Sequence, residues 1–150
     1  MRHILAVDPG KASGLALFSI ETGEEPVLVW AQECQQDEYA KPIRSTLAEH
    51  PNVLVVCERF IINAQTAKKT QAPYSLEQIG ILRQCLMDAG RKADDIIFQS
   101  PSDAKAMFDN PKLKKLEYWF VGGDGHALDA IRHALLQCVK LGWIPRRLLQ

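Results

Sequence analysis

The sequence lacks an excess of charge of either sign. Its 150 residues contain 18 lysines and arginines and 18 aspartates and glutamates, so the formal net charge is zero. A nucleic-acid-binding domain is often basic as a whole, but a balanced sum still allows local clusters of one sign. The net charge therefore excludes no class of partner and favours none.

The chain also lacks long hydrophobic runs and closely spaced cysteines. Its longest apolar run is far shorter than the roughly 20 residues of a membrane span, and Met1 to His3 lead directly into a strand without the regions of a signal peptide. The cysteines are too widely spaced for a CxxC metal knuckle, and their apolar surroundings predict buried free thiols: Cys34, Cys57, Cys85 and Cys138. We expect one domain over 1–150 in a reduced, cytoplasmic compartment.

Apolar runs and turn residues predict the order βββ-α-β-α-β-α. Strands are predicted over 3–8, 14–20, 27–30, 53–58 and 95–99, and helices over 37–50, 75–89 and 126–141, with a short helix from Ser100. Ser75 is expected to cap the second helix, with Gln78 completing a capping box. The apolar stripe of that helix is expected to be core, and part of it could instead be a dimer interface. Its core positions are Leu76, Ile79, Leu82 and Leu86, and the alternative interface is Ile79, Leu82, Arg83 and Leu86.

Three carboxylates occupy positions that predict a metal site. Asp8 and Glu58 each end an apolar strand, and Asp129 lies in the first turn of the last helix. The strands ending at Asp8 and Glu58 can be parallel neighbours, because the helix between them supplies the crossover, so both acids come out at one sheet edge. Acids this close remain ionised only with cations between them. With His126 on the same helix face as Asp129, the donor set suits Mg²⁺ or Mn²⁺, and two such ions would serve phosphoryl displacement.

Each of these residues also has a structural interpretation. Asp8 could cap the Pro9-Gly10 turn, and Glu58 could pair with Arg59. Asp129 could simply be an acid in the first helical turn that the helix macrodipole stabilises. His126 could be a first-turn residue without chemistry. His133, one turn beyond Asp129, is interpreted as a packed or surface histidine.

Three segments resemble the RuvC-like Holliday-junction resolvases, a branch of the RNase H-like nucleases. They are ILAVDPGKASGLALF at 4–18, VVCERF at 55–60 and HALDAIRHALL at 126–136, and their order covers nearly the whole chain. The short length looks most like phage-type members. The resemblance implies an RNase H-like α/β fold with a five-stranded mixed sheet, three antiparallel strands followed by parallel ones, flanked by helices.

The resemblance also implies an activity and a set of site residues. It implies a homodimeric endonuclease, dependent on Mg²⁺ or Mn²⁺, that nicks branched DNA symmetrically in recombination and repair and leaves 5′-phosphate and 3′-hydroxyl ends. Asp8, Glu58 and Asp129 take the family's ligand positions and His126 the fourth, with Asp124 as an alternative fourth ligand. The residues expected to contact DNA are Phe60, Lys68, Lys69, Lys105, Lys112, Lys114 and Lys115.

Three other functions compete with this interpretation. An RNase H-like nuclease that trims ribosomal RNA precursors also begins with an acid at a strand end. A catalytically inactive module of the same fold would bind nucleic acid or a protein partner without cutting. An actin-like or sugar-kinase ATPase domain shares the strand order but needs a second such domain, which 150 residues do not supply.

Overall fold

A single mixed sheet of five strands organises the computed structural model, which describes residues 1–60, 63–65 and 72–150. The strands lie in the order β3-β2-β1-β4-β5. Their bounds are β1 (Arg2–Asp8), β2 (Ala12–Ile20), β3 (Val27–Gln35), β4 (Leu54–Glu58) and β5 (Ile97–Gln99). The first three strands are antiparallel, and β4 runs parallel to both β1 and β5. The predicted α/β fold is thereby confirmed.

In the described part of the chain, five α-helices pack around the sheet. They are α1 (Ala40–Glu49), α2 (Ala72–Asp88), α3 (Pro101–Met107), α4 (Asn110–Lys115) and α5 (His126–Lys140), with 3-10 turns at Gln36–Glu38 and Arg146–Leu149. The short helix α3 begins as its sequence predicts, since Ser100 Oγ accepts a hydrogen bond from the Asp103 N–H and Pro101 follows the cap. Across the described ranges, none of the helices combines the length and the apolar character that a bilayer crossing requires.

Apolar side chains pack on both faces of the sheet, because successive strand residues point to opposite sides. Ile4 and Ala6 of β1 join the core beneath α5, whereas Leu5 and Val7 join the core beneath α1 and α2. The four cysteines are buried free thiols, as predicted. The central strands are therefore packed between two apolar layers, which fix the position of their C-terminal ends.

Helix α2 begins earlier than predicted, so Ser75 is not its cap. The helix starts at Ala72 because Pro73 fits a first helical turn, and Ser75 Oγ instead donates to the Pro9 carbonyl, 3.0 Å away. The predicted capping box with Gln78 is therefore wrong. Gln78 is buried, and its backbone carbonyl accepts a hydrogen bond from Tyr39 Oη.

The apolar stripe of α2 divides differently from the prediction. Ile79, Leu82 and Leu86 lie in the core against the sheet, as expected of the stripe, and are thus not available as a dimer interface. Leu76, predicted to be core, is 46% exposed, because it lies roughly a quarter turn around the helix from the three buried side chains. The large apolar residues that α2 exposes to solvent are therefore Leu76 and Met87.

Candidate active site

Asp8 and Glu58 meet at one edge of the sheet. In the parallel pairing of β1 with β4, Val7 faces Cys57, and the two acids that follow come out side by side. Asp8 is only 5% exposed, and the carboxyl of Glu58 is close enough to raise its pKa. The adjacency predicted from the strand ends is thus present in the fold.

The two carboxyls titrate as a pair. Burial raises the pKa of Asp8 well above its usual value, and the adjacent Glu58 adds to this, although the hydrogen bond with His126 opposes it. Burial alone would raise the pKa of Glu58 as well. Hydrogen bonds from His133 and Asp8, with the charges of His133 and Lys105, outweigh burial and lower the pKa of Glu58 to about 2. The pKa of Asp8 is therefore raised and that of Glu58 lowered, as expected of two adjacent carboxyls that titrate together.

His126 joins this pair from the first residue of α5. Its Nδ1 lies 3.2 Å from Asp8 Oδ2, and this hydrogen bond is the main reason why the pKa of His126 rises to about 8, against the effect of burial. The negative charges of Glu33 and Asp129 act in the same direction. His126 therefore carries a positive charge at neutral pH when no metal is bound.

A glycine on β2 allows α5 to approach so closely. Gly14 pairs with Asp8 across the β1–β2 ladder, and a Cβ at Gly14 would lie 1.8 Å from the backbone oxygen of His126. Real Cβ atoms do not come this close to an oxygen, so the start of α5 can rest on β2 only where the side chain is absent. Gly14, the first residue of the GLALF segment, is thus needed for His126 to reach the site.

Asp129 is held by an arginine one turn further along α5. Arg132 Nη1 donates to Asp129 Oδ1 at 2.6 Å, and Arg132 Nε donates to the Phe108 carbonyl at 2.8 Å. The buried guanidinium also donates to Asn110 Oδ1. Arg132 therefore ties Asp129 to the corner between α3 and α4.

The donor set fits a divalent cation. Within the described ranges, no three His, Cys, Asp or Glu side chains are arranged to hold a metal ion together as they stand. However, Asp8 and Glu58 are adjacent carboxyls at the edge of the sheet, and a divalent cation bound between them would offset their mutual repulsion. Carboxylate oxygens with one imidazole are ligands suited to Mg²⁺ or Mn²⁺.

The structure also places three other predicted site residues, Asp124, Lys105 and Phe60. Asp124 has an exposed side chain, and its backbone N–H donates to Glu33 Oε2 at 2.9 Å, so His126 rather than Asp124 lies beside Asp8. Lys105 is exposed, and its charge acts on Glu58. Phe60 packs, partly buried, against the core beneath α1 and α2.

The predicted basic residues of α4 make local contacts. Lys112 Nζ donates to the Met107 carbonyl, Lys114 Nζ lies 4.5 Å from the ring centre of Trp119, and Lys115 Nζ donates to the Gln150 carbonyl. Lys114 and Lys115 remain exposed. Lys68 and Lys69 lie outside the described residues.

Sequence reasoning missed two polar residues of the site. Glu33 comes near His126 because β3 continues to Gln35 rather than ending at Trp30. His133 is packed rather than on the surface, as one of its two interpretations had it, but its Nε2 also lies 3.5 Å from Glu58 Oε1. The spacing of four residues from Asp129 was a signal for His133, because it places both side chains on one side of α5.

Comparisons with known proteins identify the fold. No protein-family model and no curated protein sequence matches the chain. The structure of RuvC from Thermus thermophilus in complex with a Holliday junction substrate matches with a TM-score of 0.69 and 14% identity, over 93% of this chain and 96% of that one. Another structure of Thermus thermophilus RuvC matches with a TM-score of 0.68 at the same identity and coverage. The chain therefore has the fold of RuvC, as its sequence motifs predicted.

Proposed function

We propose that this chain is a metal-dependent, structure-selective endodeoxyribonuclease that resolves Holliday junctions and related branched DNA. It would hydrolyse phosphodiester bonds symmetrically and leave 5′-phosphate and 3′-hydroxyl ends. The observation that carries the proposal is the meeting of Asp8 and Glu58 at neighbouring strand ends, with His126 against Asp8. The fold shared with a RuvC bound to a junction supports DNA as the substrate class.

The metal ligands we propose are the four residues of this edge. Asp8, Glu58 and Asp129 would supply oxygen and His126 a nitrogen, with Asp124 as the alternative fourth ligand. A bound pair of Mg²⁺ or Mn²⁺ ions would activate water and stabilise the leaving oxygen. Before metal binds, His126 must give up the proton that its hydrogen bond with Asp8 stabilises.

The exposed cations beside the acids are proposed to hold the DNA backbone. Lys105 is exposed and close enough to Glu58 for its charge to lower that residue's pKa. A lysine so placed can bind a phosphate next to the scissile bond. Lys112, Lys114, Lys115 and the pair Lys68 and Lys69 are proposed as further phosphate contacts, and Phe60 as a residue that stacks at the junction.

Symmetric cleavage requires two copies of the site, and helix α2 offers a surface for dimerisation. Leu76 and Met87 are each 46% exposed. They are eleven residues apart, which is three turns of helix, so they lie on the same side of α2. We propose that this side, rather than the buried Ile79, Leu82 and Leu86, pairs with a second copy of the chain.

Asp8 provides the test of the chemistry. We expect Asp8→Asn to abolish cleavage of a synthetic four-way junction while leaving junction binding unchanged, because the amide removes a charged ligand without removing any contact to DNA. Cleavage is measured by denaturing gel and binding by a mobility shift in EDTA. The control is Glu24→Gln, since Glu24 is an exposed acid in the β2–β3 turn, at the opposite end of the sheet. Wild-type cleavage by Asp8→Asn would refute the proposal.

A further inference from the structure

A buried histidine contacts Glu58 from behind the site. His133 is 1% exposed and lies on α5, one turn after Asp129. Its Nε2 is 3.5 Å from Glu58 Oε1, on the last residue of β4. An imidazole so completely buried requires polar partners, because an unpaired polar group in the core destabilises the fold.

The other ring nitrogen of His133 is fixed by a second buried residue. His133 Nδ1 lies 2.8 Å from Gln99 Oε1, at the end of β5, and Gln99 Nε2 lies 3.4 Å from Gln137 Oε1 on α5. Gln99 and Gln137 are 3% and 6% exposed. Glu58, His133, Gln99 and Gln137 therefore form a continuous polar chain between the sheet and α5, which we call the Glu58 relay.

The orientation of the Gln99 amide decides whether His133 can donate to Glu58. With the Gln99 oxygen toward His133, the ring proton lies on Nδ1 and is donated to Gln99. With the amide turned, the Gln99 nitrogen donates to Nδ1, and a neutral ring donates to Glu58 from Nε2. In that orientation, His133 contacts the Glu58 carboxylate from α5, while Asp8 lies beside Glu58 on the sheet edge.

We propose that His133 is a positioning residue, which orients the Glu58 carboxylate for metal binding and is itself oriented by Gln99 and Gln137. This inference rests on the proposed metal-dependent function. Ligating carboxylates and imidazoles are commonly fixed by hydrogen bonds from residues behind them, and loss of such a partner weakens metal affinity about 10- to 100-fold. In a purely structural role, His133 would contribute to the free energy of unfolding alone.

Calorimetric titration with Mn²⁺ separates these roles. In the full chain, we expect His133→Leu to weaken Mn²⁺ binding by about tenfold or more, because the Glu58 carboxylate loses its donor. His133→Gln keeps a donor near Glu58 and should restore most of the affinity. The control is His50→Gln, since His50 stacks on His3 at the opposite end of the sheet and should leave Mn²⁺ affinity unchanged.

Gln99→Leu keeps the test decisive if His133→Leu does not fold. This variant retains both His133 and Glu58 and removes the orienting amide, so Mn²⁺ binding should still weaken. Wild-type affinity in a folded His133→Leu or Gln99→Leu protein would overturn the positioning role and leave the proposed nuclease intact. A wild-type chain that cleaves junctions without binding Mn²⁺ or Mg²⁺ would overturn the metal-dependent function and the positioning role together.

Discussion

At the scale of single residues, His126 makes a pH-dependent contribution to stability in the metal-free protein. Its hydrogen bond with Asp8 raises the pKa to about 8, from about 6.5 in the unfolded chain. A raised folded-state pKa stabilises the fold fully below pH 6.5, and this contribution is lost as the pH rises through 8.

We therefore expect the wild-type chain to lose its stability advantage over His126→Asn as the pH rises. Urea unfolding of both proteins in EDTA, from pH 6 to pH 9, measures the difference in the free energy of unfolding. The subtraction removes other titrating groups, including His3, whose burial lowers its pKa. A difference that stays constant or grows with pH would contradict the assignment.

The sequence predicts the acids of the site better than it predicts their polar neighbours. Asp8 and Glu58 could be placed because each ends a run of apolar residues, and the crossover between the strands fixes their adjacency. His133 could be placed on the same side of α5 as Asp129 by spacing. Its contact with Glu58 could not be predicted, because it depends on how α5 packs across β4 and β5.

At the scale of elements, the contact between β2 and α5 positions His126 at the edge of the sheet that carries the proposed active site. We expect Gly14→Ala to lower the free energy of unfolding by roughly 1–3 kcal/mol, because the new methyl would overlap the His126 carbonyl and displace the start of α5. The same displacement should weaken Mn²⁺ binding, since it moves His126 away from Asp8. Urea unfolding and Mn²⁺ titration measure the two effects, and an unchanged free energy of unfolding would contradict this account of the contact.

Element types were more predictable than element ends. The four-residue steps of Tyr39, Ile43 and Leu47 identified α1 correctly, and these three side chains are buried. The start of α2 was misplaced because Ser75 and Gln78 match a capping box by spacing alone. In the fold, Ser75 donates to Pro9 instead, so a tertiary contact outweighs the local cap pattern.

At the scale of the whole molecule, the proposed activity requires two chains acting on one substrate. Each chain supplies one cluster of Asp8, Glu58, His126 and Asp129, whereas symmetric resolution breaks two opposing strands. A dimer formed through the exposed side of α2 would bring two such clusters to one junction. Paired nicks in opposing strands are therefore the expected signature of the intact molecule.

Incubation of the purified chain with a synthetic four-way junction and its linear duplex control, in Mg²⁺, Mn²⁺ or EDTA, tests the central claim most directly. The account predicts paired nicks in opposing strands of the junction with either metal, none in EDTA and none in the duplex. Equal cutting of the linear duplex, or cutting of structured RNA in place of the junction, would contradict the proposed substrate. Tight junction binding without cleavage in any metal would contradict catalysis itself and indicate a nucleic-acid-binding module.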